Sequence, residues 1–276
     1  MADTRLSFTV DADVAFPDGS SRLQRLDVTI DFPLPDGRTL VPGPLTYNTD
    51  GLATRHNADF LAEPRFAEAY RRGLCVPHPY GTDPHFEWRV YVACWLASNA
   101  VRLDGDFVEC GVATGIISRA ICSYVAFERY AEKAFWLLDT FEGYPVEQAN
   151  ADERASGLTA RLAGYYGDTY ESVRDSMSAY PNVRLVKGVV PQTLSQVTSE
   201  RIAFLSLDMN AAVPEVASIE AFWDRLTPGG FVLMDDYGWA PCVAQKVALD
   251  AFAARRGVGI LSLPTGQGLL IRPPAS

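Results

Sequence analysis

Residues 105–115 read Gly-Asp-Phe-Val-Glu-Cys-Gly-Val-Ala-Thr-Gly, a short apolar run that ends in an acid and breaks on two glycines four apart. Glycine tolerates positive φ and lets other groups approach the backbone closely, so the stretch reads as a β-strand turning into a helix around a ligand. It is not the dinucleotide pattern G-x-G-x-x-G, and it carries no Walker lysine. Downstream, apolar runs recur at 135–138, 183–186, 202–207 and 231–234, with helical segments between the earlier ones. The clearest helix opens on Pro214-Glu215 and carries Val216, Ile219, Trp223 and Leu226 on one face. Strands joined by helices imply a parallel sheet covered on both faces. The last runs, 258–263 and 269–271, are separated only by Pro264 to Gly268, too short for a parallel crossover, so they pair antiparallel. The expectation is an α/β, Rossmann-like, seven-stranded sheet that ends antiparallel.

Upstream the pattern changes twice. From 48 to 103 the chain turns helical, with Phe66 and Tyr70 in a short helix. Trp88, Tyr91, Val92, Trp95 and Leu96 follow in a longer one, as a stripe expected to pack on the sheet. From 1 to 47 it alternates instead. Leu6, Phe8, Val10, Ala12, Val14 and Phe16, a Pro17-Asp18-Gly19-Ser20 turn, then Leu26, Val28, Ile30 and Phe32 predict a β-hairpin, followed by a proline-rich connector from Pro33 to Pro44. A lone hairpin is marginal in water, which points to packing or to homo-oligomer assembly. Three regions result: 1–47, 48–103 and the core 104–276.

Composition narrows the class. At 276 residues with 48% hydrophobic and 21% charged residues, the chain can bury a large core. A net charge of −10 disfavours nucleic acid. There is no apolar run of about 18 residues to suggest a membrane span, and no apolar h-region follows the first residues. Five cysteines without a C-x-x-C pair read as reduced thiols. The expectation is a soluble, cytoplasmic protein.

In doubly wound sheets ligands bind beyond the carboxyl ends of the strands, so the strand-end residues are the candidates. Asp139, followed by Thr140-Phe141-Glu142-Gly143, can accept both hydroxyls of a ribose, with Gly111 and Gly115 nearby. Nicotinamide and S-adenosylmethionine are both compatible with that pair of signals. Lys187-Gly188 ends the next strand, near where an adenine would lie. Asp208-Met209-Asn210 and Asp235-Asp236 end two adjacent strands, and clustered carboxylates repel unless protonated or bridged by a cation. Oxygen donors favour Mg²⁺, Ca²⁺ or Mn²⁺ over zinc. His56, His78 and His85 lie outside the strand-helix core and offer no zinc spacing.

On 105–112, 139–143, Leu207-Asp208, Pro228-Gly229-Gly230 and Asp235-Asp236-Tyr237-Gly238, the chain resembles the macrocin O-methyltransferase family across roughly 104–272. That resemblance implies the class I methyltransferase fold and methylation of a sugar hydroxyl in a small natural product, using S-adenosylmethionine and a divalent metal such as Mg²⁺. It implies Asp208, Asp235 and Asp236 at the metal. It also implies Glu109, Gly111, Asp139, Thr140 and Phe141 at the cofactor, with Gly115, Lys187, Gly188 and Asp208 bordering it. One position departs: the family commonly has an aspartate as general base where this chain has Asn210, and an amide cannot accept the proton. Asn210 is then an orienting group, and the proton leaves to His56, His85, Glu142 or a hydroxide at the metal. Residues 145–170, with Tyr165 and Tyr166, read as a lid over a small hydroxylated acceptor. Two other readings compete. A dehydrogenase lacks its fingerprint here, and a cofactor-binding scaffold without transfer activity is motivated by Asn210.

Overall fold

The structure, a computed structural model, describes residues 3–15, 21–33, 44–79 and 81–274, the first two segments as backbone only. The chain divides into two compact units, Met1–Leu45 and Thr46–Ser276. In the first, strands β1 (Asp3–Ala15) and β2 (Ser21–Pro33) pair antiparallel, with Leu6 opposite Ile30, Phe8 opposite Val28 and Val10 opposite Leu26. The hairpin read from alternation is present; the turn expected at 17–20 and the connector at 34–43 lie outside the described residues.

The second unit begins with a small hairpin, β3 (Tyr47–Thr49) and β4 (Leu52–Thr54), then helices α1 (Pro64–Gly73) and α2 (Glu87–Ala100). The alternating core follows: β5 (Asp106–Cys110), α3 (Ile116–Val125), β6 (Phe135–Asp139), short helices α4 (Ala151–Ala155), α5 (Leu158–Leu162) and α6 (Tyr170–Ser176), then β7 (Val183–Lys187). It ends with β8 (Ile202–Leu207), α7 (Ala212–Phe222), β9 (Leu226–Met234), α8 (Val243–Arg255), β10 (Leu261–Ser262) and β11 (Gly268–Ile271). The sheet order is β10-β11-β9-β8-β5-β6-β7. The pairs among β5 to β9 are parallel, and β11 runs antiparallel to both β9 and β10.

Both faces of the sheet are covered, and alternate residues of each strand serve opposite cores. Phe107, Phe135, Leu137, Phe204 and Leu233 join α1, α2 and α3 on one side. Val108, Leu138, Leu205, Val232 and Met234 join α7 and α8 on the other. Burial on both faces explains why the strands read as continuous apolar runs.

Two helix readings shift. On α2 the buried positions are Val90, Ala93, Cys94, Leu96, Ala97 and Ala100, while Trp95 is exposed; Trp88 and Tyr91 are partly buried and pack against Phe60. The helix expected through Leu226 ends at Phe222, because Leu226 already belongs to β9. Among the described residues no helix is long and apolar enough to cross a membrane.

Candidate active site

The carboxyl ends of β5, β6, β8 and β9 open onto two adjoining cavities. The first, an open cleft of about 650 Å³, is lined by Gly111, Ala113, Asp139, Thr140, Phe141, Gly188, Asp208 and Asn210, with Tyr144 and Tyr166 across from them. The second, of about 640 Å³, is lined by His78, Phe86, Arg89, Glu109, Asp208, Asn210, Asp235 and Asp236. Ala113, Tyr166, Asp208 and Asn210 border both, so they form the wall where a group could pass from one cavity to the other.

Asp139 organises the first cavity. Its Oδ2 accepts the backbone N–H of Val112 (2.6 Å) and of Ala113 (2.9 Å), and its Oδ1 accepts that of Phe141 (2.6 Å). It therefore staples the glycine turn to the loop after β6, and Thr140 closes that loop by donating to the Gly143 carbonyl (2.6 Å). Gly111 (φ +90°) is required for a different reason than ligand approach: a Cβ there would fall 1.9 Å from the Asp208 carbonyl oxygen.

The second cavity is electrostatically unusual. Arg89 of α2 donates to both oxygens of Asp50 (2.8 and 2.9 Å) and to Asp235 Oδ2, and its Nη1 lies 3.7 Å from Asp236. The buried Gln267 donates to the other Asp235 oxygen (2.9 Å). Asp50, Asp235 and Asp236 thus share one guanidinium. Burial, then the neighbouring Asp235, pushes Asp236 up to about 7 and Asp208 well above the usual carboxylate range. Glu109 is raised in the same way, chiefly by burial, and its Oε2 has no hydrogen-bond partner.

A family model of macrocin-O-methyltransferase (TylF) matches residues 93–260. The chain belongs to the macrocin-O-methyltransferase family. Among curated relatives, the 8-demethyl-8-(2,3-dimethoxy-α-L-rhamnosyl)-tetracenomycin-C 4'-O-methyltransferase of Streptomyces olivaceus is 30% identical over 182 residues, 63% of this chain and 68% of that protein. The mycinamicin III 3''-O-methyltransferase of Micromonospora griseorubida is 26% identical over 168 residues, 56% of this chain and 63% of that protein. The solved O-methyltransferase NovP matches with a TM-score of 0.64 over 78% of this chain and 98% of its own, at 19% identity, a likeness of fold alone. Family and relatives are O-methyltransferases, which use S-adenosylmethionine, and this chain is an enzyme of that kind.

Against that family the expected site residues separate into two groups. Asp208, Asp235, Asp236, Asn210 and Glu109 converge on the second cavity, while Gly111, Asp139, Thr140, Phe141 and Gly188 line the first. Gly115 caps α3 at φ +76°. Lys187 is exposed and pairs with the exposed Glu142 (2.7 Å). His56 is exposed, and its carbonyl accepts the Thr46 hydroxyl (2.5 Å). His85, also exposed, stands 3.5 Å from Asp83 and from Glu87. Neither histidine, nor Glu142, lines the two cavities. Three residues of the site were not singled out by the sequence: Arg89, His78 and Glu215. Glu215 is buried and accepts the Met209 N–H (3.1 Å) and the Gln245 amide (3.0 Å), which fixes the loop carrying Asp208 and Asn210. Within the segment 145–170, Glu153, inside a capping box with Asn150, also accepts the Ala212 N–H (2.7 Å) and so links α4 to the start of α7.

The carboxylate set suits a hard divalent cation in charge and donor type. Asp235 accepts one hydrogen bond at each oxygen, from Arg89 and Gln267, and Asp208 Oδ1 accepts from the Asn210 amide (3.4 Å). Among the described residues, the set whose donor atoms all lie within 4.8 Å of one another is Asp83, His85 and Glu87, not the strand-end aspartates, among which Arg89 stands.

Proposed function

We propose that this enzyme methylates a hydroxyl of a sugar carried on a small natural product, with a divalent cation held by Asp208 and Asp236 beside the Arg89–Asp235 pair. The observation that carries the reading is the common wall of the two cavities at Asp208 and Asn210, which separates a donor cleft from an acceptor cavity. The first has the glycine turn and Asp139 staple suited to a nucleoside. The second has Asp208, Asp236 and Asn210 along its wall, polar groups suited to an acceptor's hydroxyls. Relatives whose names specify methylated rhamnosyl and mycinamicin acceptors support the substrate class. A bound divalent ion would lower the pKa of a chelated hydroxyl. The chain's own residues orient: Asn210 offers its amide to the acceptor while Glu215 holds its loop. We also assign the β1–β2 hairpin to contact between copies of the chain, because two strands alone are marginally stable.

The test is a thermal melt with S-adenosylmethionine, S-adenosylhomocysteine or NAD, each with Mg²⁺ or EDTA. A ligand at a hundred times its Kd adds about 2.7 kcal/mol, or several degrees here. Both S-adenosyl ligands should raise the midpoint, NAD should not, and Mg²⁺ should add a shift that Asp236→Asn abolishes. Stabilisation by NAD alone would overturn the reading. Asn210 favours a second reading, a donor-binding partner protein without transfer; ligand shifts with no methylated product from any glycoside would establish it.

A further inference from the structure

Two residues on the rim of the first cavity have an unusual backbone. Ala113, in the glycine turn, has φ +48°, and Phe141, in the loop after β6, has φ +54°. Residues with a Cβ rarely adopt that region, and they keep it only where their surroundings fix it. Asp139 fixes both at the amide: its Oδ2 accepts the Ala113 N–H (2.9 Å) and its Oδ1 that of Phe141 (2.6 Å). Thr169 fixes both at the carbonyl. Its hydroxyl donates to the Ala113 oxygen (2.8 Å) and its N–H to the Phe141 oxygen (2.9 Å). Each strained residue is gripped on both sides by the same two partners, and both partners line the cavity.

The Thr169 hydroxyl forgoes a nearer use. Thr169 is the N-cap residue of α6, where a threonine oxygen ordinarily accepts an N–H of the first turn. It makes no such bond here, and the Tyr170 N–H goes to Asp168 Oδ1 (3.1 Å). The hydroxyl instead reaches a carbonyl 56 positions earlier in the chain. Beside it, the buried Arg119 donates to the next carbonyl of the turn, that of Thr114 (2.6 Å), and to the Ser176 hydroxyl of α6 (2.9 Å). The glycine turn is thus tied to both ends of α6.

We propose that Thr169 is a positioning residue for the methyl donor, holding the Ala113 and Phe141 rims of the first cavity in the conformation that the nucleoside meets. The assignment rests on the reading of that cavity as the donor cleft. With the hydroxyl in place the rims are ordered before binding. Without it the Ala113 carbonyl loses its donor and the turn relaxes, so the ligand must order the turn as it binds, and affinity falls.

The test uses the full chain, with S-adenosylhomocysteine as the probe in calorimetry. Thr169→Val keeps the shape and the N–H but removes the hydroxyl. It should raise the Kd about tenfold, equivalent to about 1.4 kcal/mol, with unchanged stoichiometry. Thr169→Ala should do the same, while Thr169→Ser, which keeps the hydroxyl, should stay within about threefold of wild type. Deuterium uptake of the ligand-free protein at 111–115 should be faster in Thr169→Val. A fall in stoichiometry at unchanged Kd overturns the assignment, because it marks the hydroxyl as needed for folding alone. Asp139→Ala separates the two readings. If it weakens binding while Thr169→Val stays within about twofold of wild type, the positioning role falls and the donor cleft stands. If both variants leave the Kd unchanged, the donor lies elsewhere, and the donor-cleft reading falls with the positioning role.

Discussion

At Gly111 a methyl group has nowhere to go. Its Cβ would overlap the Asp208 carbonyl oxygen at 1.9 Å, and φ is +90°, so backbone rather than a flexible side chain must move. Gly111→Ala is expected to cost about 3 kcal/mol or more, lowering the melting midpoint by about 6–12 °C. It should also weaken S-adenosylhomocysteine binding, because the same shift displaces Asp208 from the shared wall. A midpoint unchanged in a differential scan would show that β5 and β8 are not interlocked there. In the sequence this glycine is legible as a turn residue, but not its reason. The neighbour it avoids lies 97 positions on, and it becomes a neighbour only because β8 docks beside β5. Asn210 was legible in the other sense. Its chemistry follows from residue type alone, while its φ of +55° suits asparagine, which tolerates that region better than most.

At the scale of elements, Arg89 ties three of them together: α2 that carries it, the β3–β4 hairpin through Asp50, and the end of β9 through Asp235. Breaking a buried pair from one side leaves the other charge uncompensated, a loss of about 3–5 kcal/mol. Arg89→Met is expected to fall in that range in urea melts, and Arg89→Lys to recover only part of it, since lysine cannot reproduce the two-pronged contact with Asp50. If Arg89→Met were neutral, the carboxylates would be protonated or bridged by another cation. The strand ends were readable because each acid closes an apolar run. Arg89 and His78 were not. Arg89 sits inside a helix whose aromatic stripe dominates the pattern, and His78 lies in a loop without periodicity, so only the tertiary fold brings either to the cavity. The antiparallel direction of the last strands was readable from a five-residue connection, whereas the hydrogen bond from the Ala212 N–H to Glu153 joins residues 59 apart and left no local sign.

For the whole molecule, removal of residues 1–45 should leave S-adenosylhomocysteine binding intact, since the residues lining both cavities all belong to the second unit. The truncated protein should run as a smaller species in light scattering; an unchanged oligomeric mass would free the hairpin from the assembly role. A second global property follows from the buried acids. Burial, then Asp236, raises Glu215 to about 8, and burial raises Glu109 well above its ordinary value. In the unfolded chain both lose their protons near 4.3, so between that pH and about 8 the unfolded state binds fewer protons than the native one. The stabilisation is complete below the unfolded value and is lost as pH rises through the folded one. Ligand-free protein in EDTA should therefore lose stability in urea melts from pH 5 to 8. Glu215→Gln, which keeps an acceptor for the Met209 N–H without a charge to expose, should flatten the upper part of that slope. Stability that climbed steadily to pH 8 would mean these acids are ionised in the native state, with a cation or water reaching where the structure shows burial.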